Sequence, residues 1–221
     1  MVLLPSDPLF PPRLAAIPRP PKKLYVRGDP SVLSRPAIAV IGTRSPSDYG
    51  RRAGAAFTHT VIEKGYVVVS GLACGCDTAA HTVCVEEARP TVAVLPSGLD
   101  CIYPPENREL ADGIVKTGGC LVSEYEAAKP PRDFRFLARD RLQSGLSLGV
   151  IVIETDVESG TMETVRFAGK QGRPVGCIAG HPEPYRSLPS FSGSRMLIED
   201  GRAVPLHSKE DLERFLAGCG G

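Results

Sequence analysis

Three short loops carry the residue types that hold anions: Gly42-Thr43-Arg44-Ser45-Pro46-Ser47, Ser70-Gly71-Leu72-Ala73-Cys74-Gly75-Cys76-Asp77 and Glu158-Ser159-Gly160-Thr161. Glycine lets the backbone approach a ligand closely, and a loop that opens a helix offers N–H groups with no intrahelical partner. One such loop is weak evidence, because a glycine after a strand is commonly just a turn. Three leaving the same sheet edge favour a phosphate-bearing ligand. GTRSPS is not G-x-G-x-x-G, and the chain has no G-x-x-x-x-G-K-[ST] run, so the dinucleotide and P-loop readings have little support.

Within the loops, Arg44 fits a two-point phosphate clamp and fits equally a surface arginine paired with Asp48. Asp77 and His81 lie four residues apart on one helix face. A helix cap plus a buried, hydrogen-bonding histidine is preferred there over a proton relay. Ser159, Gly160 and Thr161 open a helix, where hydroxyl caps are the plainer reading and a phosphate nest the sharper one. Residues 129–141, KPPRDFRFLARDR, gather Lys129, Arg132, Arg135, Arg139 and Arg141 with Phe134 and Phe136. Arg132, Arg135 and Arg139 have the spacing of a helical stripe, while the rings either stack bases or anchor the segment, anchoring being the better reading for at least one. A basic stripe beside glycine loops suits a polyanion longer than one nucleotide, which raises single-stranded nucleic acid above a small cofactor.

Bulk composition sets the frame. Lys+Arg 26 against Asp+Glu 25 gives a net charge of +1, so any nucleic-acid site must be a local concentration of charge. With 42% hydrophobic residues the chain can bury a core, which argues against disorder or a coiled coil. Cysteines at 74, 76, 84, 101, 120, 177 and 219 are odd in number and scattered, so free thiols are expected. Cys74-x-Cys76 lacks the spacer of a metal or redox pair, and neither metal nor cofactor is expected. No stretch approaches the roughly 18 apolar residues of a membrane helix. MVLLPSDPLF is too short and proline-broken for a signal peptide, and the expected compartment is the cytoplasm.

The elements that must position these residues follow a strand–loop–helix rhythm. PAIAVIG, YVVVS, TVAVLPSG, CLVSEY, GVIVIE and RPVGCIAG read as strands, separated by helical patterns such as RRAGAAFTHTVIEKG, TAAHTVCVEEA, RELADGIVKTGG, FRFLARDRLQSGL and TMETVRFAGKQG. That alternation predicts an α/β fold, a doubly wound and mostly parallel sheet of extended Rossmann-like type. Residues 1–35 are expected as an irregular proline-rich arm on the domain surface, 36–200 as the Rossmann-like domain, and 201–221 as a C-terminal helical extension. Residues 181–195 read as a polar loop, followed by a short hairpin-like segment and a final helix capped at Ser208.

LYVRGDPSVL, AVIGTRSPSDYG, VVSGLACGCDTAAH, TVAVLPSGLDCIYPPENREL, LVSEY, RDRLQSGLSLGVIVIE and ESGTMETVRFAGKQGRPVGCIAG occur in the order found in the DNA-processing protein A family, also called Smf, which the chain resembles over about residues 20 to 200. The resemblance implies an extended Rossmann fold that binds single-stranded DNA, forms a homodimer and helps load a RecA-type recombinase during natural transformation (competence). It places DNA-binding residues on Gly42, Arg44, Ser45 and Tyr49, on Ser70, Gly71, Gly75 and Asp77, and on Arg139 and Arg141. Where the family has asparagine between two arginines this chain has Asp140. The helical domain and winged helix that flank many relatives are expected to have no room here.

A second function class competes. Gly160-Thr161-Met162-Glu163 is similar to the G-G-x-G-T-x-x-E signature of nucleoside-monophosphate phosphoribohydrolases, but the first glycine pair is absent and Thr164 stands at the glutamate position. Glu163 is one residue early, about 100° around a helix, so a surface role is preferred for it. A nucleotide-ligand sensor would use the same loops without a poised carboxylate. The sequence therefore predicts a non-catalytic single-strand binder with no catalytic residue.

Overall fold

The structure, a computed structural model, describes residues 1–220. In chain order its elements are β1 (Val2–Leu3), α1 (Pro12–Ala15), β2 (Leu24–Gly28), β3 (Ala37–Ile41), α2 (Asp48–Glu63), β4 (Val67–Ser70), α3 (Cys76–Glu86), β5 (Thr91–Val94), α4 (Arg108–Lys116), β6 (Cys120–Ser123), α5 (Asp133–Leu146), β7 (Gly149–Val152), α6 (Thr161–Lys170), β8 (Val175–Ile178), α7 (Glu183–Arg186), α8 (Pro189–Glu199), β9 (Val204–Leu206) and α9 (Lys209–Cys219). Strands β3 to β8 are buried along their whole length, which is why they read as continuous apolar runs without alternation. Ser47 starts α2 by accepting the Gly50 N–H on its hydroxyl.

The strands form a sheet in the order β1-β2-β6-β5-β4-β3-β7-β8-β9. Every pairing from β6 to β9 is parallel, while β2 is antiparallel to β6 and β1 to β2. The chain lays β4, β5 and β6 outward on one side of β3, then returns through α5 to place β7, β8 and β9 on the other. Loops leaving β3 and β7 therefore part to opposite faces, and the crevice between them is where open α/β sheets hold ligands. One face is covered by α2, α3 and α9, packing Val61, Val83 and Leu212 on Ile38, Val68 and Ile151. The other carries α5 and α6, with Leu142 and Leu146 against Val67 and Val92, and Val165 against Val150. The expected doubly wound, mostly parallel architecture is the one observed.

Three stretches depart from expectation. Residues 1–35 are not irregular: β1 and β2 extend the sheet, and Leu3, Phe10, Leu14 and Leu24 pack on Leu142 and Leu146 in the core. The antiparallel edge allows a chain start to join a parallel sheet without a crossover helix. The polar loop expected at 181–195 contains α7 and most of α8, with Pro189 at the first turn of α8 and Phe191 and Leu197 buried beneath it. The segment expected as a hairpin is instead β9, parallel to β8. Ser208 does cap the final helix, in a reciprocal box with Asp211.

Candidate functional site

A cleft of about 380 Å³ opens at the carboxyl edge of the sheet, and all three loops and one side of α5 line it. The first loop is clamped on the chain leaving β7 and on the second loop. The Thr43 N–H donates to Glu154 O at 2.7 Å, and the Cys76 N–H donates to Thr43 O at 3.1 Å. A Cβ on Gly42 would lie 2.5 Å from Cys76 Sγ, and one on Gly75, whose φ is +80°, 2.5 Å from Thr43 O. These glycines let loop meet loop, where the sequence had suggested contact with phosphate.

The second loop already holds an acceptor of its own. Asp77, 5% exposed, turns its carboxylate back to the Gly71 and Ala73 N–H groups, so this nest is filled from within. Ser70 is fully buried with its hydroxyl donated to Val40 O at 2.7 Å. Gly71 makes room for Arg139: a Cβ there would sit 1.5 Å from Arg139 Nη1. Arg139, 6% exposed, donates to Val94 O at 3.4 Å and lies 3.2 Å from Asp140 Oδ1. Burial pushes the Asp77 carboxyl above its usual range, opposed by Arg139. His81 is neutral: burial, reinforced by Arg139, lowers it to about 3, and its Nδ1 meets Thr91 Oγ1 at 2.9 Å. The histidine of this pair is buried and hydrogen-bonded as expected, but Asp77 is no helix cap: α3 starts at Gly75 without a side-chain cap, and Asp77 serves the loop N–H groups instead.

The cleft floor adds residues the sequence reading had not used for binding. Asp140, Gln143 and Asp156 line it with Arg139. The Asp140 carboxyl is pushed up to about 7, by burial first and by Asp77 and Glu163, against the pull of Arg139 and Arg44. Gln143 Nε2 donates to Asp140 Oδ1 at 3.2 Å, while its Oε1 is buried without a partner. Gln143 stands four residues after Arg139, a helical spacing that would have found it.

At the mouth the balance changes. Arg44 is exposed and has no carboxylate within ion-pair distance among the described residues; Asp48 pairs with Arg51 at 2.6 Å instead. Its guanidinium lies 5.2 Å from the centre of the Phe136 ring, which meets Tyr103 edge-on at 5.7 Å. Tyr103 is exposed, and Ser45 beside Arg44 is exposed too. Ser159, Gly160 and Thr161 line the opposite wall, where the Ser159 hydroxyl accepts the Thr161 N–H at 3.2 Å.

Other candidates lie elsewhere. Tyr49 turns away from the cleft, 4.6 Å from the His181 ring and 5.8 Å from Tyr185. Behind it, buried Glu154 accepts from Ser47 N at 2.8 Å, Ser47 Oγ at 2.6 Å and His181 Nε2 at 2.9 Å, fixing the start of α2. The expected basic stripe on α5 is divided. Arg139 enters the cleft, Arg135 donates to Pro130 O and covers Tyr125, and Arg141 leaves on the far side with two 2.6 Å bonds to Glu124. Lys129 and Arg132 stay exposed near the start of α5. Glu163 is forked to Arg166 and does not line the cleft, so no carboxylate is poised at the phosphoribohydrolase position.

Against known proteins, the sequence matches the family described as DNA recombination-mediator protein A over residues 1–217. It is 37% identical over 217 residues to Protein Smf of Escherichia coli (strain K12), a match covering 98% of this chain and 57% of that protein. The X-ray structure of DNA processing protein A from Streptococcus pneumoniae superposes with a TM-score of 0.85 at 33% identity, over 97% of this chain and 73% of that one. DNA processing protein A from Helicobacter pylori, in a structure describing that protein's single-stranded DNA binding mode, gives a TM-score of 0.86 at 30% identity, over 99% of this chain and 97% of that one. The chain thus spans little more than half the length of the Escherichia coli protein.

Proposed function

Since the chain belongs to the DNA recombination-mediator protein A family, we propose that it serves DNA processing by binding single-stranded DNA across the mouth of the cleft. The observation that carries this reading is Arg44, exposed, without a carboxylate partner among the described residues and stacked on Phe136, with exposed Tyr103 beyond. A guanidinium with free donors clamps a phosphate, and ring faces accept bases of any sequence. The two inner loops are spent on each other and on Asp77, so their part is to hold Arg44 and Arg139 in place rather than to cradle phosphate. Lys129 and Arg132 supply long-range attraction beside the mouth. In the same reading the protein works in the cytoplasm, pairs with a second copy that continues the track, and hands the strand to a RecA-type recombinase in natural transformation.

Fluorescence anisotropy with a labelled oligothymidylate tests the proposal. Affinity is expected to fall with salt, and Arg44→Ala to weaken it about tenfold with an unchanged melting temperature. Binding that is absent, or indifferent to salt and to Arg44, overturns it. Equal affinity for mononucleotides run in parallel would assign the cleft to a small-nucleotide sensor instead.

A further inference from the structure

A second groove carries more unpaired cations than the cleft among the described residues. On the far side of α5 lies a second depression of about 540 Å³, between that helix and residues 19–23, continuous through Arg19 and Phe167 with a smaller one that reaches Lys170. Arg19, Lys22 and Lys170 are exposed and have no ion-pair partner among the described residues. The carboxylate in its lining, Glu124, is consumed by Arg141. The cleft, by contrast, sets Asp77, Asp140 and Asp156 against Arg44 and Arg139.

The groove also has an apolar surface for which the fold has no use. Phe134 is 60% exposed and Ala138 lines the groove beside it, whereas Phe167, also in the lining, is only 8% exposed. The wall is held in place. Arg19 has φ +56°, a left-handed conformation that non-glycine residues seldom adopt, and its carbonyl accepts from Arg141 Nε at 3.0 Å. Arg141, itself fixed by Glu124, thus holds this wall against α5. Cations with free donors beside an exposed ring suit a single nucleic-acid strand, whose phosphates and bases alternate along one chain.

We propose that this groove is a second subsite for the same strand that crosses the cleft mouth, an inference that rests on the reading above. Positions 136, 139, 140 and 143 of α5 face the cleft, and 134, 138 and 141 face the groove. The two subsites are therefore separated by one helix, about 10 Å across with its side chains. A strand passing over the exposed N-terminal turn of α5 connects them, with a base on Phe134 and phosphates on Lys22 and Lys170.

The test uses the intact chain and one labelled oligothymidylate long enough to span both subsites. Phe134→Ala is expected to weaken binding at least about fivefold. The double variant Lys22→Gln/Lys170→Gln is expected to lower the slope of log affinity against log salt by about 1.4, that is 0.7 per cation. An oligonucleotide carrying 5-iodouracil is expected to cross-link to Phe134 on irradiation. All three changes lie on exposed side chains, and melting temperatures check that the variants fold. If Arg44→Ala weakens binding while the groove variants leave affinity and salt slope unchanged, the second subsite is wrong and the cleft reading stands. If no oligonucleotide binds the wild-type chain, both fall. Groove variants that spare oligonucleotide binding but abolish binding of a labelled glutamate- and phenylalanine-rich peptide would mark a peptide site and overturn the proposal.

Discussion

Asp140 stands between two arginines that part company: Arg139 enters the cleft while Arg141 turns to Glu124. Its carboxyl, ordinarily near 4, is pushed up to about 7 by burial, with Asp77 and Glu163 adding to the effect and Arg139 and Arg44 opposing it. Between about pH 4 and 7 the folded chain therefore binds a proton that the unfolded chain has lost. This contribution favours folding fully below about pH 4 and is lost as pH rises through about 7. Asp140→Asn is expected to flatten that slope and to raise stability near pH 8, as read by urea denaturation across a pH series; an unchanged slope would refute the assignment. Removing the charge should also tighten oligonucleotide binding more at about pH 8 than at pH 6, where the carboxyl is largely protonated. Arg44 was legible in the sequence because it follows a strand and a glycine. The roles of the glycines were not. Gly71 is there for Arg139 and Gly75 for Thr43, partners far along the chain or across a loop, and one-dimensional spacing cannot show what a missing Cβ makes room for.

Among the elements, α5 shows how proximity in sequence misleads. Its basic residues are close together in sequence, yet Arg139 and Arg141 are two positions apart, about 200° around a helix. Helical geometry alone separates them into two faces, one toward each depression. Helix α8 is hard to read because SLPSFSGSRM is polar and carries four serines, although Pro189 in its first turn is a start signal. The final helix was found because its cap is local: the Ser208 hydroxyl accepts the Asp211 N–H at 3.2 Å, and Asp211 answers to the Ser208 N–H. Ser208→Ala is expected to cost about 1 kcal/mol in chemical denaturation, with oligonucleotide affinity unchanged because α9 lies away from the cleft.

For the whole molecule, a net charge of +1 describes a sum, not a surface. Acidic groups concentrate on the cleft floor, and unpaired basic groups at its mouth and in the groove beyond α5. Doubly wound architecture was readable because buried parallel strands and intervening helices repeat. The antiparallel edge was not, since residues 1–35 are broken by prolines and their apolar side chains meet partners only across the fold. Deleting residues 1–23 is expected to strip Leu3, Phe10, Leu14 and Ile17 from the core around Leu142 and Leu146. Loss of a cooperative thermal transition, together with increased light scattering, would register it; a cooperative transition at the wild-type temperature would contradict it. That edge also imposes an order in time. Gly28 pairs with Cys120, and the core beneath β2 is finished only by Leu142 and Leu146. A ribosome therefore releases β1 and β2, which can pair with each other, long before β6 exists, and the other edge of β2 must wait while β3, β4 and β5 are synthesised.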